Sequence, residues 1–279
     1  MSLSRLEVVI LTKNEEAHIE DVLTSLDGLD CHVLIVDSGS TDSTLEICEK
    51  YGAEIVFYEY VTEAKTRNWV LAERADVDWI LFLDADERLT PELNKELREL
   101  PDPSDGVVGF YIRREMWFLG RPLRYGGHQN NYLLHLLHPP VSQVVEQTRT
   151  LEYVNVEGQT GRLKHHMIHE NKKPLRDWVM KHDFYAQREA EDRRSGVKRD
   201  KSVTEGRARA FTHKHVLSRL PPLLLPFAFF IYRYFLRFGF LDGRVGFIYY
   251  VMHDFWYPTL IAAKLVELEV YPAGDDEGS

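Results

Sequence analysis

Short apolar runs alternate with helical patterns over the first hundred residues of this 279-residue chain. Near-continuous apolar strands that alternate with helices are typical of a parallel sheet covered by helices on both faces. The pattern therefore predicts an α/β fold with a mostly parallel, doubly wound sheet. The predicted strands are 6–11, 32–36, 54–58 and 79–83, and the predicted helices are 14–26, 42–51, 63–75 and one that starts at Thr90-Pro91-Glu92.

The pattern changes after residue 106. Residues 107–113 predict a further strand, whereas 117–162 are rich in glycine, histidine and aromatic residues and predict loops and short antiparallel strands. Residues 175–191 predict a helix, and the charged stretch 192–209 predicts a mobile segment. We predict a main α/β domain over 1–175, a helical C-terminal extension over 176–272 and a disordered tail over 273–279.

The block from 220 to 269 is apolar and aromatic. Its uncharged run 220–232 is 13 residues long with three prolines, whereas a membrane-spanning helix needs about 20 residues. The longer run 245–264 has His253 and Asp254 near its middle, where charge is costly in a bilayer. Aromatic residues interleaved with Arg233, Arg237 and Arg244 favour helices that lie in a membrane interface. A helical hairpin in the core and a homodimer contact are the alternatives.

Composition narrows the class of protein. The net charge of -10 argues against a nucleic-acid partner, which would require a basic face. Cys31 and Cys48 lie outside any metal-binding motif and favour a reducing compartment. The N-terminal apolar run is too short for a signal peptide. We expect a cytoplasmic protein, peripheral on the inner face of the cytoplasmic membrane.

Polar residues follow the predicted strands at the point where each strand ends. In a doubly wound sheet, ligands bind at the carboxyl ends of the strands. A fourth polar set lies in the helix before the fourth strand. The four sets are Thr12 to Glu16, Asp37 to Asp42, Asp84 to Glu87 and Lys65 to Asn68.

These residue types suit a diphosphate donor. The carboxylates of Asp84 and Asp86 repel each other just past a buried strand, and a hard divalent cation would relieve this repulsion and hold a diphosphate. Asp37 can accept hydrogen bonds from a base or ribose, and Arg67 can donate to a base or phosphate. Singly these signals are weak, because Asp is common in turns. Dinucleotide-binding and P-loop glycine motifs are absent from the sequence.

The motifs LTKNEE, IVDSGSTDST, AKTRNW and WILFLDADE resemble family 2 glycosyltransferases of the GT-A fold over about residues 6–100. Further motifs resemble the bacterial subgroup of lipopolysaccharide inner-core β-glucosyltransferases, to about residue 269. These are RREMWFLGRPLRYGG, VVEQ, GRLKHH and YRYFLRFGFLDGRVGF.

The resemblance implies an inverting, metal-dependent transfer of a hexose from a nucleoside-diphosphate sugar, with UDP as the nucleotide. It implies that the donor is bound by Thr12, Asn14, Glu15, Asp37, Ser38, Arg67, Asp84 and Ala85. Asp86 and His165 would bind Mg²⁺ or Mn²⁺. Glu146 would be the general base that deprotonates the acceptor hydroxyl.

Two positions depart from the family pattern. The subgroup often has Val-His-Glu where this chain has Val144-Val145-Glu146, so the carboxylate is kept and a histidine is lost. Relatives tend to have an arginine where this chain has Leu134-His135-Leu136, which puts one diphosphate or acceptor contact in doubt. Trp117 and the Gly126-Gly127-His128 sequence are candidates for shaping the sugar pocket.

The resulting hypothesis is an enzyme that glycosylates a membrane-linked saccharide, such as a lipopolysaccharide core or a lipid-linked glycan. The alternative is an enzyme that transfers the sugar to a polyprenyl phosphate, because such enzymes use the same N-terminal donor-binding half. A sugar nucleotidyltransferase fits less well, because such enzymes need a glycine-rich, basic phosphate loop near the first strand. A non-catalytic sugar-binding protein is disfavoured by the three carboxylates Asp84, Asp86 and Glu146.

Overall fold

A computed structural model describes residues 6–128, 131–148, 151–197 and 223–271. The chain divides into two compact units. The first consists of the described residues of Met1–Arg124, His128–Val145 and Val154–Lys172, and the second of those of Tyr125–Gly127, Glu146–Tyr153 and Lys173–Ser279. The predicted division at residue 175 stays a prediction. The units differ from it in placing 125–127 and 146–153 with the C-terminal part of the chain.

The strands alternate with the first four helices as the apolar pattern predicts. In chain order the strands are β1 Leu6–Thr12, β2 His32–Asp37, β3 Glu54–Phe57, β4 Trp79–Asp84, β5 Glu87–Leu89, β6 Val107–Phe118, β7 Arg121–Pro122, β8 Asn131–Leu137, β9 Ser142–Thr148, β10 Leu151–Val156 and β11 Gln159–Glu170. The helices are α1 Ile19–Ser25, α2 Thr44–Lys50, α3 Glu63–Glu73, α4 Pro91–Leu97, α5 Leu175–Arg194, α6 Leu225–Phe230, α7 Gly243–Tyr249 and α8 Tyr257–Val270.

The main sheet of the first unit has the order β3-β2-β1-β4-β8-β6-β11-β5, with β7 paired to β6. Strands β3, β2, β1 and β4 are mutually parallel. β8 is antiparallel to both β4 and β6, whereas β6 and β11 are parallel. β9 and β10 form a separate two-stranded sheet. The predicted α/β fold is confirmed, with four mutually parallel strands formed by the first part of the chain.

The sheet separates two hydrophobic cores because alternate residues of a strand point to opposite faces. Val8 and Ile10 of β1 pack into one core, and Val9 packs into the other. The same alternation occurs in β4, where Leu81 and Phe82 face opposite cores. These strands are buried on both faces, which explains why they read as continuous apolar runs.

One predicted boundary is wrong. The first helix begins at Ile19 instead of Asn14, because Asn14 has the left-handed φ of 56° and residues 16–18 form a turn. The stretch 117–162, predicted as loops and short antiparallel strands, contains the short strands β8, β9 and β10, and β8 is antiparallel to both of its neighbours. The predicted mobile segment lies outside the described residues from 198 onward, and the predicted tail lies wholly outside them.

Apart from the stretch 125–127 and its short pieces of β9 and β10, the described part of the second unit is mostly helical. α6 continues into the π-helical turn Ile231–Leu236, and α7 continues through the π-helical segment Tyr250–Trp256 into α8. The Tyr250 side chain is fully buried, and its hydroxyl donates to Asp242 Oδ2 at 2.6 Å. A Cβ at Gly126 would overlap the Tyr250 ring, and Gly126 has φ 67°. Packing therefore explains this glycine without a sugar pocket.

Candidate donor site

The carboxyl ends of three parallel strands meet at one edge of the sheet. The register pairs Thr12 of β1 with Asp37 of β2 and Leu11 of β1 with Asp84 of β4. Residues that are 25 and 73 positions apart in the sequence are thereby brought side by side. This edge is where a doubly wound sheet binds ligands, and it carries three of the four polar sets singled out in the sequence.

Asp37 is held rigidly at this edge. It is 2% exposed, and its carboxylate accepts hydrogen bonds from the Thr12 hydroxyl at 3.1 Å and from the backbone N–H groups of Gly39 and Ser40 at 2.8 Å each. Burial by itself raises the pKa of Asp37, but the hydrogen bonds from Ser40, Gly39 and Thr12 outweigh it and hold the pKa below the ordinary 3.8. The carboxylate is therefore charged and fixed. Ser38 donates its backbone N–H to the Thr12 carbonyl oxygen at 3.1 Å.

The loop after β1 is tied to the loop after β2 by reciprocal hydrogen bonds. Asn14 donates its backbone N–H to Ser40 Oγ at 2.9 Å, and its side-chain Oδ1 accepts from the Thr41 N–H at 2.8 Å. The Glu15 N–H donates to Thr44 Oγ1 at 2.8 Å. The left-handed conformation of Asn14 makes this exchange possible, because Asn adopts it at low cost. The two loops form one polar platform beside Asp37.

Arg67 joins the platform from helix α3. The helix begins at Glu63 and is capped by Thr62, whose side chain accepts from the Lys65 N–H, and this placement directs Arg67 toward the end of β4. Its guanidinium lies over the Phe82 ring and donates to Asp84 Oδ1 at 3.2 Å and to Glu63. Burial and the charge of Asp86 raise the pKa of Asp84, but the positive charges of Arg67 and Arg114 outweigh them and lower it. The result is a pKa below the ordinary range, so Asp84 is ionised.

The Asp84-Ala85-Asp86 turn is fixed from below by Glu87, which is fully buried. Glu87 Oε2 accepts the Asp84 backbone N–H at 3.0 Å, and Glu87 Oε1 accepts from Arg114 Nη1 at 3.1 Å. Ala85, between the two aspartates, packs into the core. A buried carboxylate needs such partners. Glu87 and Arg114 therefore form an ion pair that holds the turn carrying both aspartates.

Asp86 faces a histidine, but it is His169 of β11. His169 Nδ1 lies 3.2 Å from Asp86 Oδ1. Within the described residues this buried nitrogen makes no well-aligned hydrogen bond. His165, which the resemblance selects, lies four residues earlier, where its Nδ1 is 2.9 Å from Glu96 Oε2 and its backbone N–H also donates to Glu96. The structure thus brings His169, and not His165, beside Asp86.

Glu146 is exposed on β9 and belongs to the second unit. The start of β9 is bound to helix α3 by Asn68, whose amide donates to the Val144 carbonyl and accepts the Val144 N–H, each at 2.8 Å. Asn68 directly follows Arg67 on α3. One helix therefore contributes an arginine to the donor site and also fixes β9 two residues before Glu146.

The structure adds contacts that sequence reasoning did not predict. His135 of β8 donates Nδ1–H to the Phe82 carbonyl at 2.8 Å, and its Nε2 lies 3.9 Å from Glu87 Oε1. Arg114 and Glu87 lie within the RREMWFLGRPLRYGG and WILFLDADE motifs, but only their contacts show that they hold the Asp84-Ala85-Asp86 turn. His169 lies four residues after His165, so the sequence marked the region, and the structure brings His169 beside Asp86.

Comparison with known proteins identifies the family. The family model described as Glycosyl transferase family 2 matches residues 7–146, which include the strands β1 to β4 and the paired aspartates. The chain is similar to the lipopolysaccharide core biosynthesis glycosyltransferase LpsC of Rhizobium meliloti, with 27% identity over 97% of this chain and 96% of the relative. It is also similar to the uncharacterized glycosyltransferase RT0209 of Rickettsia typhi, with 26% identity over 96% of this chain and 89% of the relative.

Among solved structures, the chain is similar to S. aureus TarS residues 1–349, with 16% identity, a TM-score of 0.45 and coverage of 94% of this chain and 91% of the other. The family model covers half of the sequence, and its residues include Asp37, Arg67 and Asp84, which the structure brings together. The chain belongs to glycosyl transferase family 2 and is a glycosyltransferase.

Proposed function

We propose that this enzyme transfers a hexose from a nucleoside-diphosphate sugar, with UDP as the nucleotide, to a membrane-linked saccharide. The reaction is metal-dependent and inverts the anomeric configuration. The observation that carries the proposal is the meeting of Thr12, Asp37 and Asp84 at one sheet edge, in a chain of family 2. The site divides into a nucleoside part, a metal part and an acceptor part.

The nucleoside part is the platform formed by the loops after β1 and β2. Asp37 presents a charged, rigid carboxylate for ribose or base donors. Glu15 and Asn14 line the same loops, and Arg67 contributes planar hydrogen-bond donors beside Asp84. These groups are held by the protein before any donor binds, so little ordering entropy is lost on binding.

The metal part is Asp86 with His169. Two ligands of one octahedral cation, each about 2.1 Å from it, lie about 3 Å apart, and Asp86 Oδ1 and His169 Nδ1 are 3.2 Å apart. The buried Nδ1 without a well-aligned partner within the described residues also fits a ligand role. Mn²⁺ or Mg²⁺ held there would stabilise the charge that develops on the departing diphosphate. We assign Asp84 to the ribose side, because two arginines already balance its charge.

The acceptor part depends on Glu146. Inversion needs a base that removes the proton of the acceptor hydroxyl on the face opposite the leaving diphosphate. Glu146 is an exposed carboxylate at the end of the family match. Glu146→Gln should keep donor binding and reduce transfer at least about 100-fold, because the amide cannot accept the proton. Undiminished transfer by this variant would assign the base to another residue.

The proposed acceptor is a lipopolysaccharide core or another lipid-linked glycan. Similarity over nearly the full length to a protein described as acting in lipopolysaccharide core biosynthesis supports this class. An assay with lipid-linked saccharides and with polyprenyl phosphate as rival acceptors would separate the proposal from its alternative. Transfer to polyprenyl phosphate alone would contradict it.

We further propose that the second unit contacts the inner face of the cytoplasmic membrane. No helix in the described ranges is both long and apolar enough to cross a bilayer. The exposed side chains of 223–241, here called the apolar segment, are Leu223, Leu224, Phe227, Ile231, Tyr232, Phe235, Leu236, Phe238, Phe240 and Leu241. Ten exposed apolar side chains within 19 residues mark a contact site. The exposed Arg244 lies three residues beyond this segment.

The donor proposal is tested by titrating purified protein with UDP- and GDP-sugars in the presence and absence of Mn²⁺. Asp86→Asn should abolish the metal-dependent part of donor binding, because an amide is a weaker and uncharged ligand. Asp105→Asn, at an exposed aspartate, is the matched control. Equal metal-dependent binding by Asp86→Asn and wild type would remove Asp86 from the metal site.

A further inference from the structure

His18 is a buried histidine in the loop that carries the donor-binding residues. It directly precedes helix α1 and is 3% exposed, although Lys13, Asn14 and Glu16 nearby are exposed. A buried polar group in a loop needs hydrogen-bond partners. Both ring nitrogens of His18 have one, and the two partners belong to parts of the chain more than 150 residues apart.

The partners determine which ring nitrogen carries the proton. The Lys172 backbone N–H lies 2.8 Å from His18 Nε2. A backbone N–H can only donate, so Nε2 is the acceptor. His18 Nδ1 lies 2.8 Å from Glu15 Oε2, a carboxylate that can only accept, so Nδ1 carries the hydrogen. The ring is therefore neutral, with its proton on Nδ1.

Through these two bonds His18 controls the position of the Glu15 side chain. The Glu15 N–H is held by Thr44 at 2.8 Å, and the Glu15 carbonyl oxygen accepts from the backbone of His18 and Ile19 at 2.9 Å each. The backbone of Glu15 is thus fixed on both sides, and the His18 ring directs its carboxylate. Lys172 follows Glu170 at the end of β11, the strand that carries His169.

We propose that His18 is a positioning residue for the sugar-nucleotide donor. Its neutral ring bridges the Lys172 N–H and the Glu15 carboxylate, so that the nucleoside-binding loop keeps one geometry relative to the end of the metal-binding strand. This inference rests on the proposed function, because it takes Glu15 to be a donor-binding residue. The competing explanation is a purely structural role, in which His18 closes the loop onto β11 and affects stability alone.

Two isosteric substitutions separate the functions of the two nitrogens. The amide nitrogen of Asn occupies the position of Nδ1, so His18→Asn can still donate to Glu15. The amide oxygen of Gln can occupy the position of Nε2, so His18→Gln can still accept from Lys172 but cannot donate to Glu15 from there. The probe is UDP with Mn²⁺, titrated calorimetrically, and each variant is also unfolded thermally.

We expect UDP to bind His18→Gln about tenfold more weakly and His18→Asn within about threefold of wild type. The effect should appear in the KM for the donor with kcat little changed. In a Glu15→Gln background, His18→Gln should weaken UDP binding no further, because the ring acts through that carboxylate. Equal UDP affinity of both variants and wild type, or an undiminished effect in the Glu15→Gln background, would overturn the proposal.

A measurement on the wild-type protein covers the case in which a variant does not fold. ¹⁵N NMR of labelled histidine distinguishes the two neutral tautomers and the imidazolium. The proposal requires the Nδ1–H tautomer for His18 in the absence of UDP, and any other form contradicts it. If wild type with Mn²⁺ binds no UDP- or GDP-sugar at all, the proposed function fails. A His18 effect that does not pass through Glu15 defeats only this inference.

Discussion

At the residue scale, Asp37 shows how folding and donor binding depend on the same carboxylate. The charge is buried, and four hydrogen bonds from Thr12, Gly39 and Ser40 compensate it. Hydrogen bonds to a charged group contribute about 1.5–3 kcal/mol. These bonds exist without a donor, so Asp37 stabilises the loop after β2 as well as presenting a group for the nucleoside.

Asp37→Asn should lower the free energy of unfolding by about 2 kcal/mol at neutral pH, because the amide offers one acceptor oxygen instead of two. The pKa of Asp37 is lowered by folding, so its stabilisation is present above the ordinary value of 3.8 and is lost as pH falls through the lower folded value. The difference between wild type and variant in urea unfolding should therefore narrow from pH 7 to about pH 3.

The control for Asp37→Asn is Asp105→Asn, which should change stability by less than about 0.5 kcal/mol at either pH. A constant difference between wild type and Asp37→Asn across this range would show that the loss comes from packing and not from the charge.

The same scale shows what the sequence could predict of the site. Asp37 and Asp84 directly end apolar strands, so their order and spacing predicted that they would meet. Glu87, Arg114 and His135 act through partners that only the pairing of β4 with β8 and of β8 with β6 brings close. Only the alignment of β11 with β5 and β6 shows that His169, and not His165, lies beside Asp86. No local sequence pattern determines how strands that are distant in the chain align with each other.

At the scale of elements, the strands that the sequence predicted best are those buried on both faces. β1 and β4 begin at the predicted residues and extend one residue beyond the predicted ends. Short, continuous apolar runs of this kind favour buried strands. β8 and β9 lie in the stretch for which the sequence predicts short antiparallel strands, but their bounds were not predicted because irregular segments surround them. Their strand conformation depends on neighbours that are distant in sequence.

Helix α4 depends on Thr90, which was predicted as its start and is confirmed. Thr90 Oγ1 accepts the Leu93 N–H at 3.3 Å and also donates to the His166 carbonyl of β11 at 2.7 Å. Thr90→Val keeps the shape and removes both bonds, so it should lower the free energy of unfolding by about 1–3 kcal/mol. Urea denaturation measures this. Thr90→Ser keeps the hydroxyl and should retain most of the stability, and equal losses in the two variants would contradict the capping role.

At the scale of the whole molecule, the family match ends at residue 146 and the second unit lies mostly beyond it. The first unit contains the proposed donor and metal residues, and the second contains Glu146 and the apolar segment. The sequence predicted an interfacial role for the C-terminal block from its arginines and aromatic residues. The structure adds that the ten side chains of the apolar segment are exposed while Tyr249 and Tyr250 are buried, which separates candidate contact residues from core residues.

A membrane role for the apolar segment predicts that the protein floats with vesicles containing phosphatidylglycerol. The double variant Phe235→Ser and Leu236→Ser should bind them at least about tenfold more weakly, since each exposed side chain contributes about 1.5–3 kcal/mol when it leaves water. Phe57→Ser is the matched control, because Phe57 is 68% exposed in the first unit and Leu236 is 67% exposed. Sedimentation of the same variants measures the oligomeric state. If the double variant floats as wild type does but a wild-type dimer becomes a monomer, the apolar segment covers a second copy of this chain instead of a bilayer.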